Sequence, residues 1–270
     1  MTNVVIGAGS GMGKAVAEVL APRGRLIVAD VNADSAKAVA DEIGGQAEAL
    51  KVDLTDPADI DSLVATIGDS LDSIVISAGL SASMANGRKI FEVNLIGYAN
   101  TLAAVEPLIH DGSTAVIFSS ESGYASNATP ELTTVLDDPL APDFFDRIEA
   151  LGFDPDLPHF AYPISKLGVH RLAKKLVWPW GAKGARVVSV SPGINDTPMN
   201  RLDESNHPIM AEIIKGSPLG RRGTPVEVAA VVDFLTSDKA SLVTGSDVLV
   251  DGGMLNALPT RGAGAEAQPH

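Results

Sequence analysis

A tyrosine and a lysine four positions apart, in Tyr162-Pro-Ile-Ser-Lys166, carry the strongest chemical signal in this chain. On a helix that spacing puts both side chains on one face. A phenol titrates near pH ~10 and is a poor acid or base at neutral pH. An ammonium group beside it stabilises the phenolate and lowers that value, so the pair can give and take a proton. Pro163 is best tolerated in a first helical turn, where its missing N–H is not needed. The helix is therefore expected to run from about Tyr162 to about Trp178. In isolation the pattern also fits a solvated helix face.

Two more polar residues stand in suggestive places. Ser120 closes an apolar run that reads as a strand, and a hydroxyl there can hold a substrate oxygen in line with the phenol. Ser119 or Ser122 takes that role if the register differs. Asn94, in Glu92-Val-Asn-Leu-Ile-Gly97, lies in a helical pattern. Asparagine is unfavourable there unless its side chain has a partner; the alternative is an exposed polar position.

A second kind of chemistry is written near the start. Gly7, Gly9, Ser10, Gly11, Met12 and Gly13 belong to a glycine-rich run between an apolar strand and a helix. Glycines allow a tight turn and close approach to a pyrophosphate, and the helix N-terminus offers free N–H groups. A bare glycine run also makes ordinary turns; its position after the first strand is what points to a dinucleotide. Asp30 ends the second strand, followed by Val31, where a carboxylate accepts hydrogen bonds from ribose hydroxyls. It would repel a 2′-phosphate, and no arginine flanks it directly, although Arg23 and Arg25 are near in sequence. The expected cofactor is NAD rather than NADP. A strand-end turn or helix cap is the other reading of Asp30. Asp53, followed by Leu54, ends the third strand and is placed either to meet the adenine amino group or to make an Asx turn.

These residues need a frame. Strands are expected at Asn3–Ile6, Arg25–Asp30, Ala47–Lys51, Ser73–Ser77, Thr114–Ser119, Ala185–Val190 and Asp247–Val250. Helical spacing covers Gly13–Ala21, Ser35–Ile43, Pro57–Ile67, Phe91–Leu108, Pro208–Lys215 and Pro225–Leu235. Asp34, Asp56 and Pro57 read as helix starts, and Gly24 and Gly44 as stops. Alternating strand and helix implies one α/β domain over residues 1–258: a doubly wound, Rossmann-type parallel sheet of about seven strands with helices on both faces. Residues 259–270 read as a low-complexity tail. The stretch from about 124 to 160 breaks the alternation. Such long connections carry structure or function of their own, and this one is expected to overhang the site or form a subunit contact.

Composition narrows the classes. A formal charge of −14 argues against nucleic acid and anionic membranes as partners. The absence of cysteine excludes disulfides, thiolate catalysis and cysteine-bound zinc. No apolar run reaches the ~18 residues of a membrane span, and the N-terminus lacks the basic, apolar character of a leader. A soluble, cytoplasmic protein is expected.

Taken together, the residues resemble the short-chain dehydrogenase/reductase family over about residues 2–256. The matching stretches are the glycine run, Asp30, Asp53, Ser77-Ala78-Gly79, Asn94, Ser120, Tyr162-x-x-x-Lys166, Pro192-Gly193-x-x-x-Thr197 and Asp251-Gly-Gly253. The resemblance implies roles. Tyr162 is the general acid/base; Lys166 lowers its pKa and bonds the nicotinamide ribose; Ser120 orients the substrate oxygen. Asn94 holds a relay water. Ser77, Ala78 and Gly79 pack beside the ribose. Pro192 and Gly193 turn the chain past the nicotinamide, where Ile194 N–H and Thr197 meet its carboxamide. No metal is called for. The chain departs from the family pattern at Ile6, where threonine usually opens the glycine motif, and at Ser77, where asparagine is usual. The wide separation of Ser120 from Tyr162 is similar to that in bacterial 3-alpha-hydroxysteroid dehydrogenase/carbonyl reductases.

The implied activity is hydride transfer between NAD(H) and an alcohol or ketone carbon. A lid over about 195–223 contains Met199, Leu202, Ile209, Met210, Ile213 and Ile214, which suggests an apolar, steroid- or terpenoid-like substrate. Phe144, Phe145, Phe153 and Phe160 either add to that wall or form a local core. A homodimer or homotetramer is expected. The alternatives are a reductase of acyl-carrier substrates, against which the acidic surface argues, and a non-catalytic NAD sensor.

Overall fold

Short β-branched runs such as Thr2–Ile6 have no polar side for water, so they are stable only between two covering layers. The computed structural model, which describes residues 1–206 and 209–257, arranges them in that way. Seven parallel strands are β1 (Thr2–Ile6), β2 (Arg25–Asp30), β3 (Ala47–Lys51), β4 (Leu71–Ile76), β5 (Ile109–Phe118), β6 (Arg186–Pro192) and β7 (Asp247–Val250). Their order is β3-β2-β1-β4-β5-β6-β7. The order reverses between β1 and β4, which opens a crevice at the carboxyl ends of the strands.

Helices cover both faces. Helices α1 (Gly11–Leu20) and α2 (Ala33–Ile43) lie on one, with Val16, Leu20 and Val39 buried against Val5, Val28 and Val116. Helix α3 (Pro57–Ile67) lies on the other, starting at the Asp56 cap and Pro57 as expected. Helix α2 is capped by Asn32, whose side chain accepts the Ser35 N–H, so Asp34 sits in the first turn and not at the cap. The expected helix from Phe91 begins earlier. Helix α4 (Gly87–Phe91) leads into a π-helical turn, Glu92–Ile96, and then α5 (Gly97–Val105). Ser77 and Ser119 lie just past the ends of β4 and β5.

The stretch after β5 has its own small core. Helices α6 (Pro130–Leu136) and α7 (Phe144–Ala150) bury Leu132, Leu136, Phe144 and Ile148 against Ile90, Phe91 and Ile164. The Phe91 ring meets the rings of Phe144, Phe145 and Phe160 edge-on at 5.7, 6.1 and 6.3 Å between centroids. The phenylalanines are therefore this segment's core.

That packing also extends the next helix. Helix α8 runs Pro158–Gly181, a turn earlier than Tyr162, because Pro158 takes the first position and Ala161 is drawn into the small core. Pro163 thus lies inside the helix. Helix α9 (Pro198–Asn206) was not expected; α10 (Ile209–Gly216) corresponds to the helix predicted from Pro208, a residue that, like 258–270, lies outside the described ones. Helix α11 (Pro225–Leu235) matches its expected bounds and opens with a capping box between Thr224 and Glu227.

Because three aromatic contacts converge on one ring, Phe91→Ala should cost about 3–5 kcal/mol. Urea unfolding checks this; a loss under about 1 kcal/mol would show that the segment after β5 is not anchored there.

Candidate active site

The glycine turn after β1 is shaped by what a side chain would strike. A Cβ on Gly7 would collide with the Ala78 backbone, and Gly7 has φ +84°. A Cβ on Gly13 would collide with the Gly7 carbonyl and lie 2.5 Å from Ser77 Oγ. A Cβ on Gly9 would lie 2.8 Å from Asp30 Oδ2, the oxygen that accepts the Gly9 N–H at 2.9 Å. Asp30 Oδ1 accepts from Asn32 N–H, also at 2.9 Å. The aspartate thus braces the turn from the end of β2. Ser10 caps α1 without a side-chain bond to it, so the helix N-terminus beside Gly11, Met12 and Gly13 has no side chain closing it. This glycine-lined cradle fits a dinucleotide.

The remaining predicted residues divide. Thr197 is buried, and its methyl side lies 3.5 Å from the Cβ position of Gly11, so the segment after β6 closes against the glycine turn. Asn195 Nδ2 donates to the Gly193 carbonyl and Thr197 Oγ1 accepts from Asn200 N–H, which fixes the chain around Ile194 just past Pro192. Leu54 is buried, whereas Val31 is exposed. Asp53 Oδ1 accepts from both the amide and hydroxyl of Thr55, so it makes the Asx turn.

The catalytic candidates do meet. Asn94 lies in the π-helical turn, fully buried, and exchanges two bonds with Leu80: it accepts the N–H at 2.8 Å and donates to the carbonyl at 2.9 Å. A Cβ on Gly79 would stand 3.3 Å from Asn94 Oδ1 and 3.5 Å from Lys166 Nζ. Lys166 is buried and donates to the Phe118 carbonyl at 3.0 Å. The Ser120 hydroxyl faces the Tyr162 phenol closely enough to favour its ionised form. The neighbouring serines do other things: Ser119 Oγ donates to the Lys166 carbonyl at 2.8 Å, and Ser122 donates its N–H to Ser120 Oγ at 3.2 Å.

The electrostatics of the site are set mainly by burial. Burial pushes the Tyr162 phenol above its ordinary value, the Ser120 hydroxyl pulls it partly back, and the charges of Asp203 and Glu121 push it up. Lys166 Nζ stands 5.9 Å from the Tyr162 ring centroid, and burial lowers the ammonium itself to about 7. Three residues were missed. Tyr98 is fully buried and donates to the Ala78 carbonyl at 2.6 Å, holding the loop after β4. Its signal was position, one turn after Asn94 on the same face. Glu121 and Asp203 had no signal in spacing.

A parallel sheet in this order with a glycine-lined turn after its first strand defines a Rossmann-type nucleotide-binding protein. Comparison with known proteins narrows this. The family model described as short chain dehydrogenase matches residues 2–134, and that described as Enoyl-(Acyl carrier protein) reductase matches 155–255. Cyclohexanol dehydrogenase of Acinetobacter sp. is 33% identical over 92% of this chain and 92% of its own. Cis-4-hydroxycyclohexanecarboxylate dehydrogenase of Sinomonas cyclohexanicum is 31% identical over 93% of this chain and 94% of its own. The crystal structure of a short-chain dehydrogenase/reductase, glucose/ribitol dehydrogenase, from Brucella melitensis superposes with a TM-score of 0.76 at 26% identity, over 94% of this chain and 96% of that one. The chain belongs to the short-chain dehydrogenase/reductase family, whose members are oxidoreductases that use a nicotinamide cofactor. No helix among the described residues is long and apolar enough to cross a membrane.

A raised phenol holds its proton to higher pH. In the cofactor-free protein, the ultraviolet difference between wild type and Tyr162→Phe should therefore show the phenolate less than half formed at pH ~10. A half-point below pH ~10 would mean that burial does not govern this group.

Proposed function

We propose that this protein is an NAD(H)-dependent dehydrogenase/reductase of apolar secondary alcohols and ketones, with Tyr162 as general acid/base. The observation that carries the reading is the meeting of Tyr162, Ser120, Lys166 and Asn94 at the carboxyl ends of β4 and β5. In oxidation Tyr162, as the phenolate, would take the proton of the substrate hydroxyl at Oη while Ser120 Oγ holds the same oxygen by a hydrogen bond; in reduction Tyr162, as the phenol, would give that proton back. The chemistry that a bound nicotinamide supplies is acceptance or donation of the hydride at the carbinol carbon. Lys166 and Asn94, buried beside Gly79, would hold the ribose side of the site and pass the proton onward. Ser77, Ala78 and Gly79 would line the cofactor's ribose, and Pro192, Gly193, Ile194 and Thr197 its nicotinamide end.

The preference for NAD rests on Asp30 and on where the nearby cations are engaged. Arg23 donates to Asp233 and Thr236. Arg25 donates to the carbonyls of Thr66 and Ile67 and pairs with Glu48. Lys37 pairs with Asp41, and Lys51, which sits opposite Asp30 on β3, pairs with Asp59. A 2′-phosphate would meet the Asp30 carboxylate without one of these cations free to receive it. The apolar substrate class is supported by the lid, where Leu202, Ile209 and Ile213 present exposed apolar side chains, and by the likeness to an enzyme named for cyclohexanol.

Two experiments test this reading. Tyr162→Phe should lower kcat for cyclohexanol oxidation by about 10²–10⁴-fold and leave NADH binding intact; unchanged turnover would remove Tyr162 from the mechanism. Wild-type protein should turn over faster with NAD(H) than with NADP(H), and Asp30→Ala should narrow the ratio by about tenfold or more. Faster turnover of the wild type with NADP(H) overturns the assignment of Asp30.

A further inference from the structure

Two carboxylates that the mechanism does not use border the site from two different elements. Asp203 belongs to α9, and its Oδ1 accepts the Ser81 hydroxyl at 2.7 Å. Ser81 follows directly on Leu80, the residue clasped by Asn94, so this bond brings the lid carboxylate to the mouth of the site. Glu121 is the residue after Ser120. Its Oε2 is buried without a hydrogen-bond partner and lies 3.0 Å from the Cβ position of Gly193.

The cations that might neutralise them are occupied. On the lid, Arg201 pairs with Asp196 and Arg222 with Glu204. Asp251, beside Glu121, is another acid, already satisfied by the amides of Gly253 and Leu255. Lys166 is turned to the Phe118 carbonyl. Both acids are felt at the reacting group, since each makes the Tyr162 phenol harder to ionise. In a half-buried, low-dielectric cleft such charges act strongly over several ångströms.

We propose that Asp203 and Glu121 set the charge specificity of the site: it accepts neutral or cationic alcohols and ketones and rejects those with a carboxylate or phosphate near the reacting carbon. Rejection by uncompensated like charge is an economical source of specificity, because it need not alter how well the favoured substrate fits. The inference rests on the reading of Tyr162 as the acid/base. It also separates this chain from its relative named for a hydroxycyclohexanecarboxylate, and it weighs against substrates delivered on an acidic carrier.

The test is a series of cis-4-substituted cyclohexanols, an isosteric carboxylate and carboxamide and a cationic amine, assayed at pH ~8 so that Glu121, which burial and Asp251 push up to about 7, is ionised. The substrates are cis-4-hydroxycyclohexanecarboxylate, its neutral carboxamide and cis-4-aminocyclohexanol. Expected kcat/KM values rise in that order, with the carboxylate at least about tenfold below the carboxamide. Asp203→Asn, which keeps an oxygen for Ser81, and the double variant with Glu121→Gln should bring the carboxylate-to-carboxamide ratio progressively toward one. A wild-type ratio within about twofold of one, or a ratio that the double variant does not move, overturns the proposal. Quenching of bound NADH fluorescence by cyclohexanecarboxylate and cyclohexanecarboxamide decides the same question without turnover: equal affinities refute it. If the affinities differ as expected but Tyr162→Phe matches wild type in rate, the acid/base reading has failed and the charge specificity stands.

Discussion

Lys166 places an ammonium group inside the protein, and the arrangement of the site follows from satisfying it there. A buried cation costs several kcal/mol unless hydrogen bonds replace its water. The Phe118 carbonyl at the end of β5 supplies one bond, and the Tyr98 and Tyr162 rings flank the group, each with its centroid 5.9 Å away. Tyr98 in turn needs the Ala78 carbonyl, which fixes the loop after β4. Asn94 ties the next residues of that loop through Leu80. The π-helical turn is what allows α4 and α5 to run on as one rod while presenting this asparagine inward. Burial leaves Lys166 near 7, so the chain alone holds it close to the balance between charged and neutral forms.

Helix α8 carries Tyr162, Lys166 and His170 at successive intervals of four, and the last of these anchors the turn that bears Ser120. His170 Nε2 lies 2.8 Å from Ser191 Oγ and 3.3 Å from Asp247 Oδ1. Asp247 also accepts the Tyr124 hydroxyl at 2.8 Å. Gly123 sits over the histidine, where a Cβ would lie 3.0 Å from His170 Cε1, and Gly168 lets Leu95 approach the helix on another side. A helix, a turn and two strands are locked together by one polar cluster, buried at His170 and Ser191 and open to solvent at Tyr124. Such clusters hold position well when their members are paired. The distance between the hydroxyl of Ser120 and the phenol of Tyr162 is thus set by groups that touch neither.

The legible part of this chain was whatever depends on local order. Strands β2, β3 and β7 and helices α3 and α11 were readable to the residue, because apolar runs, an Asp-Pro start and a Thr-Pro start are local signals. The start of α8 was misplaced because Pro163 looked like the obvious first-turn proline; the earlier Pro158 won once Ala161 had a core to enter. That core depends on Phe91 meeting three rings from distant sequence, which no window on the chain displays. The site divides in the same way. Tyr162, Lys166, Asn94 and the glycines were visible as types at spacings. Glu121 and Asp203 were not, since an acid on an exposed turn and one that borders a buried site look alike until the chain is folded.

The two departures from the family pattern meet at one turn. With isoleucine at position 6, the glycine turn lacks the hydroxyl that ordinarily braces it, yet the turn here is well supported. The backbone does part of this: Gly7 and Ala8 donate to the Ala29 carbonyl, and Ser77 and Ala78 to the Ile6 carbonyl. The Ser77 hydroxyl supplies the rest, donating to the Ile6 carbonyl at 3.0 Å with the Gly7 carbonyl 3.4 Å away. A serine is short enough to do this beneath Gly13, whose missing side chain leaves the space that Ser77 Oγ and the Gly7 carbonyl occupy. An asparagine at 77 would project its amide further, toward the volume that a Cβ on Gly13 would claim. The small residue at 77 thus braces the glycine turn from β4, where the apolar side chain at position 6 offers it no hydroxyl from β1.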